Sequence, residues 1–238
     1  MEDKVISLNL GDYEKRGLYI IFKDGSRLDL SDELVEKITR EYWEDPARIP
    51  PEVKKAIDFQ RCPFCPLESE GGFCNALRPL LPFLEIVDRY VSHDKVIAVY
   101  KGHRKEIYRI ADSSMQAALL HLSILSLMHH CQAALPYRKY FYGVNPLMSA
   151  KEASARIYMN IFWENKGDKE LVNKIISEFK IKLTAASKNE MKRLSLICKN
   201  DAFINAVVKT QLISEFLSLD YDKILEDAFQ RIELENKS

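Results

Sequence analysis

Three cysteines, two prolines and two glycines occur among the fourteen residues RCPFCPLESEGGFC at positions 61–74. Cys62 and Cys65 are separated by two residues, and Cys74 follows further along the same segment. Two thiols at this spacing suit either disulfide exchange or the binding of one metal ion from a tight turn. The segment therefore predicts thiol or metal chemistry.

Disulfide exchange explains less of this segment than metal binding does. The sequence CPFC at 62–65 matches the dithiol of glutaredoxin-like proteins, but that site needs a preceding strand and a βαβ pattern around it. A helix and a proline-rich turn precede it here, and Cys74 would have no role. In a metal site, the prolines stiffen the turn, and Gly71 and Gly72 let the chain bring Cys74 to the same point. Cysteines without any ligand are the third alternative.

Three thiolates need a fourth ligand to close a tetrahedral metal site or to hold a four-iron cluster. We predict Cys131, because it ends the most apolar helix of the chain and its thiol can emerge at the edge of the core. His129 and His130 are the rival ligands, but at about 100° per helical residue they point away from Cys131. Cys198 is interpreted as a buried thiol on an apolar helical face. The predicted metal ligands are Cys62, Cys65, Cys74 and Cys131.

Zinc is the predicted metal, and a 4Fe-4S cluster on the same four cysteines is the alternative. Pro66, directly after Cys65, is similar to the Cys-Pro of bacterial ferredoxins and favours the cluster. No second cluster motif and no substrate motif is present that would use the electrons, which favours zinc. We therefore expect a structural metal in a binding or regulatory protein, with an iron–sulfur redox protein or enzyme as the alternative.

Two β-hairpins are predicted among the segments that must position these cysteines. Residues 5–10 and 18–23 have strand-like sequences, and Asp24-Gly25 indicates a hairpin turn before residues 26–30. A second hairpin is predicted for residues 95–111, turning at Gly102-His103. Both hairpins lie in the first half of the chain.

Helices are predicted between and after the hairpins. Ser31 caps an amphipathic helix, and a short helix over 51–59 leads to the cysteines. Ser113 with Gln116 has the spacing of a capping box before the apolar helix, as Ser149 with Glu152 has before a later helix. From residue 168 onward only amphipathic helices are indicated.

The fold class that follows is α+β. It has N-terminal hairpins and helices, a central hairpin with a buried helix, and an all-α C-terminal part. We expect an α+β part over residues 1–150 that carries the metal site, and a helical part over 151–238 packed on it as one unit.

Composition and charge argue against several function classes. The 238 residues carry 35 basic and 35 acidic side chains, so attraction of the whole chain to nucleic acid or an anionic membrane is not expected. The apolar run at 115–131 is shorter than the roughly 20 residues of a spanning helix, and the first ten residues lack a signal-peptide pattern. A cytoplasmic protein is expected, where reduced cysteines favour metal over disulfides. An unknown protein or small molecule is the expected partner, and the oligomeric state stays open.

Aromatic residues alternate with two cations in LPYRKYFYGVNP at 135–146, as in single-strand nucleic-acid binders. In a neutral chain, we expect these rings to pack on the core while Arg138 and Lys139 stay solvated. No phosphate loop, nucleophile elbow or HExxH pair is present, so no catalytic motif is recognised.

The sequence also resembles an uncharacterised bacterial protein family whose members carry a C-P-x-C-P-L motif followed by a third cysteine. Here that motif is CPFCPL…FC at 62–74, and it is followed by an apolar helix ending in Cys131 and by DAFINAVV at 201–208. The resemblance implies that Cys131 belongs with the first three cysteines. Two departures are Gln132, where the family usually has proline, and the absence of a histidine over 142–146.

Overall fold

The computed structural model describes residues 8–45, 47, 49–59, 62–65, 74–102 and 108–217. Its sheet has four antiparallel strands in the order β2-β1-β3-β4. The strands are β1 (Gly17–Ile21), β2 (Arg27–Ser31), β3 (Lys95–Lys101) and β4 (Tyr108–Ser114).

Both predicted hairpins are confirmed. In the first, Ile21 pairs with Arg27 and Gly25 has a φ of 87°, which suits glycine in a tight turn. In the second, Lys95 pairs with Ser114, and the turn at 103–107 lies outside the described residues. Of the strand predicted for residues 5–10, residues 5–7 lie outside them, and residues 8–10 are not a strand, because Leu10 begins a 3₁₀ turn, Leu10–Tyr13.

The α-helices among the described residues are α1 (Asp32–Glu44), α2 (Pro51–Asp58), α3 (Leu84–Val87), α4 (Met115–Leu125), α5 (Ala150–Glu164), α6 (Lys169–Leu194) and α7 (Ala202–Phe216). Helices α1 and α4 pack on this sheet, and helices form the C-terminal half of the described chain. Because the sheet is antiparallel and no helix crosses between parallel strands, the predicted α+β class is confirmed. No helix within the described part of the chain is both long and apolar enough to cross a membrane.

Helix α4 lies at the centre of the core, as its all-round apolar sequence predicts. One side of α4 packs with the sheet and α7 in a first core cluster, which includes Leu18, Leu30, Leu119, Leu122 and Phe203. Another side contributes to a second core cluster formed with α5 and α6, which includes Leu120, Leu127, Ile157, Ile161 and Phe179. The C-terminal helices thus pack on α4, and the predicted domain boundary near residue 150 stays a prediction.

The capping box predicted at Ser113 and Gln116 is wrong. Ser113 is still paired in β4, and Ser114 occupies the N-cap position without a side-chain cap hydrogen bond. The amides of Met115 and Gln116 instead donate to the carbonyls of Asp94 and Ser92, at 2.8 and 3.1 Å. A turn distant in sequence therefore satisfies the helix amides that the serine was expected to cap.

The capping box at Ser149 and Glu152 is confirmed. The Ser149 hydroxyl accepts from the Glu152 amide at 3.2 Å, and the Glu152 carboxylate accepts from the Ser149 amide at 2.7 Å. We expect Ser149→Ala to cost about 1 kcal/mol of unfolding free energy, measured by urea denaturation. Ser114→Ala is the matched control, because that N-cap serine has no cap hydrogen bond. An equal loss in both variants would contradict this assignment.

Candidate functional site

The turn that carries Cys62 and Cys65 lies just beyond α2. The Cys65 amide donates to the Cys62 carbonyl at 3.0 Å, which closes a tight turn with both cysteines partly exposed. Close to the end of α2, the Phe59 carbonyl accepts from Arg193 Nε at 2.9 Å. Arg193 of α6 therefore anchors the segment that leads into the cysteine turn.

Cys74 is held by the same arginine. Arg193 Nη1 donates to Cys74 Sγ at 3.1 Å, and the backbone amide of Ala76 also donates to this sulfur. Burial raises the pKa of the Cys74 thiol, against the lowering effects of Arg193 and the amide. A bound cation would compensate the cost of burying a thiolate at Cys74. Arg193 and the Ala76 amide would then help to stabilise that thiolate.

Cys131 follows a short π-helical segment, Ser126–His130, that ends α4. Its amide donates to the Ser126 carbonyl five residues earlier at 3.1 Å, so the helix is widened by one residue at this point. The thiol is buried, and the nearby backbone amides of Ala134 and Ala133 act to lower its pKa. Burial raises the pKa of Cys131 to about 12, so the free thiol is neutral.

Two of the predicted ligands, Cys74 and Cys131, each interact electrostatically with a third, Cys62. Cys131 is buried in the second core cluster, and Cys74 packs against both this cluster and the first. The charge of Cys62 reaches both sulfurs and raises the pKa of each, as does the charge of Glu190. Cys65 is joined to this group through the turn it shares with Cys62. Within the described residues, no group of three or more His, Cys, Asp or Glu side chains is already arranged to hold a metal ion.

The two rival ligands, His129 and His130, have surroundings that differ from those of Cys131. His129 lines a large cavity beside α5, whereas His130 faces a separate pocket next to Trp43 and Arg78. Burial, followed by the charges of nearby basic residues, lowers the pKa of both imidazoles. Three consecutive side chains thus face three different sites, which favours Cys131 over its neighbours as the fourth ligand.

Sequence reasoning missed two charged residues of α6 that contact this group. Glu190 is 1% exposed and Arg193 is 3% exposed, although both are in the charged stretch KNEMKRL. The spacing could have revealed them, because Leu183, Ala186, Glu190 and Leu194 follow one helical stripe whose apolar members are buried. A charged residue on such a stripe indicates a buried functional or structural group.

Glu190 shares a hydrogen-bond chain with Ser126. The Ser126 hydroxyl oxygen lies 2.6 Å from both the Ala76 carbonyl and Glu190 Oε1. A hydroxyl has one proton to donate, so a protonated Glu190 donates to Ser126, which donates to Ala76. Burial raises the pKa of Glu190 to about 8, against the effects of Ser126 and Arg193, so the carboxyl is mostly neutral at pH 7.

Cys198 lies apart from this group. Helix α6 ends at Leu194, so Cys198 lies in the following turn, where its amide donates to the Leu194 carbonyl at 2.8 Å, and not in a helix as predicted. Its side chain packs against the first core cluster, and burial followed by Asp88 raises its pKa to about 12. These contacts are those of a structural thiol.

No protein-family model matches this chain, and no curated protein or solved structure shows significant similarity to it. The resemblance to the bacterial family with the C-P-x-C-P-L motif therefore stays a prediction.

Proposed function

We propose that this protein binds one zinc ion through Cys62, Cys65, Cys74 and Cys131, and that the zinc is structural. Four thiolates are a common ligand set for structural zinc. The ion would join the turn after α2 and the segment at Cys74 to the end of the central helix α4. The protein itself would then act as a binding or regulatory module in a reducing compartment such as the cytoplasm.

The convergence of Cys74 and Cys131 carries this proposal. They are far apart in sequence, yet both contact the second core cluster, and backbone amides near each sulfur act to lower its pKa. Such donors orient sulfur ligands and stabilise their negative charge. Cys62 is near enough for its charge to act on both sulfurs, which supports a shared site for these three cysteines.

Arg193 and the raised thiol pKa values fit the same proposal. Without a cation, burial favours neutral thiols at Cys74 and Cys131, whereas zinc would replace their protons. The Arg193 guanidinium, 3.1 Å from Cys74 Sγ, would offset part of the charge of four thiolates. Since no group of described residues is prearranged for a metal ion, the proposal includes a closing movement of the turn at 62–65 when zinc binds.

Metal analysis of protein purified without oxygen tests the proposal. We expect about one zinc per chain and a colourless protein. Brown protein containing iron and sulfide would overturn zinc in favour of an iron–sulfur redox protein on the same cysteines. Protein that binds neither metal after supply of each would overturn the site.

Cys198→Ser is the matched control for this measurement. Because the charge that shifts the pKa of Cys198 comes from Asp88 and not from another cysteine, we expect unchanged zinc content. The loss of stability should be about 1 kcal/mol, as for small buried substitutions. Loss of zinc in Cys198→Ser would mean that the ligand set is assigned wrongly.

A further inference from the structure

A cavity of about 920 Å³ lies between the sheet, the end of α4, the 3₁₀ segment Leu135–Phe141 and α5. This is within the range of about 300–1,000 Å³ that is typical of small-molecule sites. It is separate from the cysteines, which are not among the residues that line it.

A polar network forms one wall of the cavity. Asp32 accepts from Arg16 Nε at 3.1 Å, and its other oxygen lies 3.2 Å from His121 Nε2. His121 Nε2 also lies 3.0 Å from the Leu30 carbonyl, so this nitrogen carries the proton that these oxygens accept. Burial raises the pKa of Asp32, but the hydrogen bond and charge of His121, with Arg16, outweigh it and leave the pKa lowered. Asp32 is therefore an anion with its charge already compensated.

Positive charge exceeds negative charge around the cavity. Among the described residues that line it, three are cations, Arg16, Arg138 and Lys139, and two are carboxylates, Asp32 and Glu164. Arg16 is paired with Asp32, and Lys139 is paired with Glu164 at 2.7 Å. Arg138 forms no ion pair with any described residue, so its charge is available to an anionic ligand.

Two exposed aromatic rings lie at the same cavity. Trp163 is 69% exposed and Tyr142 is 61% exposed, the two highest values among the large hydrophobic side chains of the described residues. Three other rings of the 135–146 segment, those of Tyr137, Tyr140 and Phe141, pack into the core as the sequence predicts. Exposed rings beside a cavity offer stacking surfaces for a planar ligand.

The backbone beside these rings is fixed in place. Asn160 of α5 donates through Nδ2 to the carbonyls of Tyr140 and Tyr142, at 2.8 and 2.7 Å. Arg156 Nε adds a longer contact of 3.4 Å to the Tyr142 carbonyl. A preorganised wall reduces the entropy lost when a ligand binds.

We propose that this cavity binds a small aromatic anion of the size and chemistry of a nucleoside monophosphate. Trp163 and Tyr142 stack on the planar ring, and Arg138 binds the phosphate with support from Arg16. Arginine suits this role because its planar fork of N–H donors matches phosphate oxygens. The ligand is a single nucleotide and not a nucleic-acid strand, because the chain is neutral overall and Arg138 is the one cation without an ion pair among the described residues of this cavity.

Titration calorimetry of the full chain with adenosine 5′-monophosphate tests this proposal. We expect saturable binding with a Kd of about 10–100 μM. Adenosine alone and inorganic phosphate alone should each bind at least about tenfold more weakly, because each lacks one half of the recognition. Equal binding of either compound, or no saturation with the nucleotide up to about 1 mM, would overturn the proposal.

Variants locate the binding in this cavity. Trp163→Ala and Arg138→Ala should each weaken nucleotide binding about tenfold or more, through lost stacking and a lost charged hydrogen bond respectively. Arg89→Ala is the matched control, since it removes an exposed arginine that does not line the cavity, and should bind as the wild type does. Wild-type affinity in both cavity variants, or tighter binding of a single-stranded oligonucleotide than of the nucleotide, would refute the assignment.

Discussion

Cys131→Ala is expected to lose bound zinc and to unfold about 10 °C below the wild-type protein. The substitution removes the one proposed ligand on the central helix, leaving three thiolates that cannot complete a tetrahedral site. Zinc at about a thousand times its Kd contributes about 4 kcal/mol to stability, and a chain of this length loses about 2–4 °C per kcal/mol. The measurements are zinc content and thermal unfolding, with zinc in excess and after chelation.

Two matched variants and the chelated proteins make this test specific. His129→Ala and His130→Ala should keep a full complement of zinc, because both side chains face other cavities. After chelation, Cys131→Ala and the wild type should differ only by the small cost of removing one buried thiol. If Cys131→Ala retains zinc while a histidine variant loses it, the site has three cysteines and one histidine, and Cys131 is not a ligand.

Glu190→Gln is expected to stabilise the protein by about 4 kcal/mol at pH 8 and to change it little at pH 4.5. The folded-state pKa of Glu190, about 8, is raised from an ordinary value of 4.5. Between these two values the unfolded chain releases the proton while the folded chain keeps it. Stability that is fully present below about pH 4.5 is therefore lost as the pH rises toward 8. Glutamine cannot ionise, and its amide can still donate to Ser126, so the variant avoids this loss.

Thermal unfolding of the wild type and of Glu190→Gln at several pH values tests this effect. The quantity compared is the difference between their melting temperatures at each pH. Both proteins are measured after chelation, because the charge of Glu190 acts on two proposed zinc ligands and would alter the pH dependence of zinc binding. Glu178→Gln is the matched control, because Glu178 is exposed on the same helix. A constant difference between wild type and Glu190→Gln across this range would show that Glu190 ionises as an ordinary carboxyl in the folded protein.

The features that the sequence determined by itself depend on near neighbours in the chain. Asp24-Gly25 forms a hairpin turn because the turn conformation depends on those residues themselves. Ser149 and Glu152 cap α5 because their partners are three residues apart. The apolar sequence of α4 has no polar face to expose, so its burial could be predicted without knowing what covers it.

Features that depend on contacts between distant segments were not predicted from the sequence and were seen only in the tertiary structure. The same serine chemistry failed at Ser113, because the carbonyls of Asp94 and Ser92 reach the helix amides first. Glu190 and Arg193 read as solvated charges in a polar stretch, but α6 places them against Ser126 and Cys74. The cysteines that could share a metal ion were predicted from the sequence. The charged residues near them were identified only from the structure.

The cavity beside Trp163 shows most clearly which features local sequence predicts and which ones tertiary packing sets. The segment at 135–146 suggested aromatic and basic chemistry, and its composition correctly indicated that most rings would pack inward. The cavity itself is formed by residues from the sheet, α4, the 3₁₀ segment and α5. A cavity between elements has no local signature, because its volume and charge depend on how those elements pack against one another. Local sequence therefore determined the elements and the candidate ligands, whereas long-range packing decided which side chains share a site.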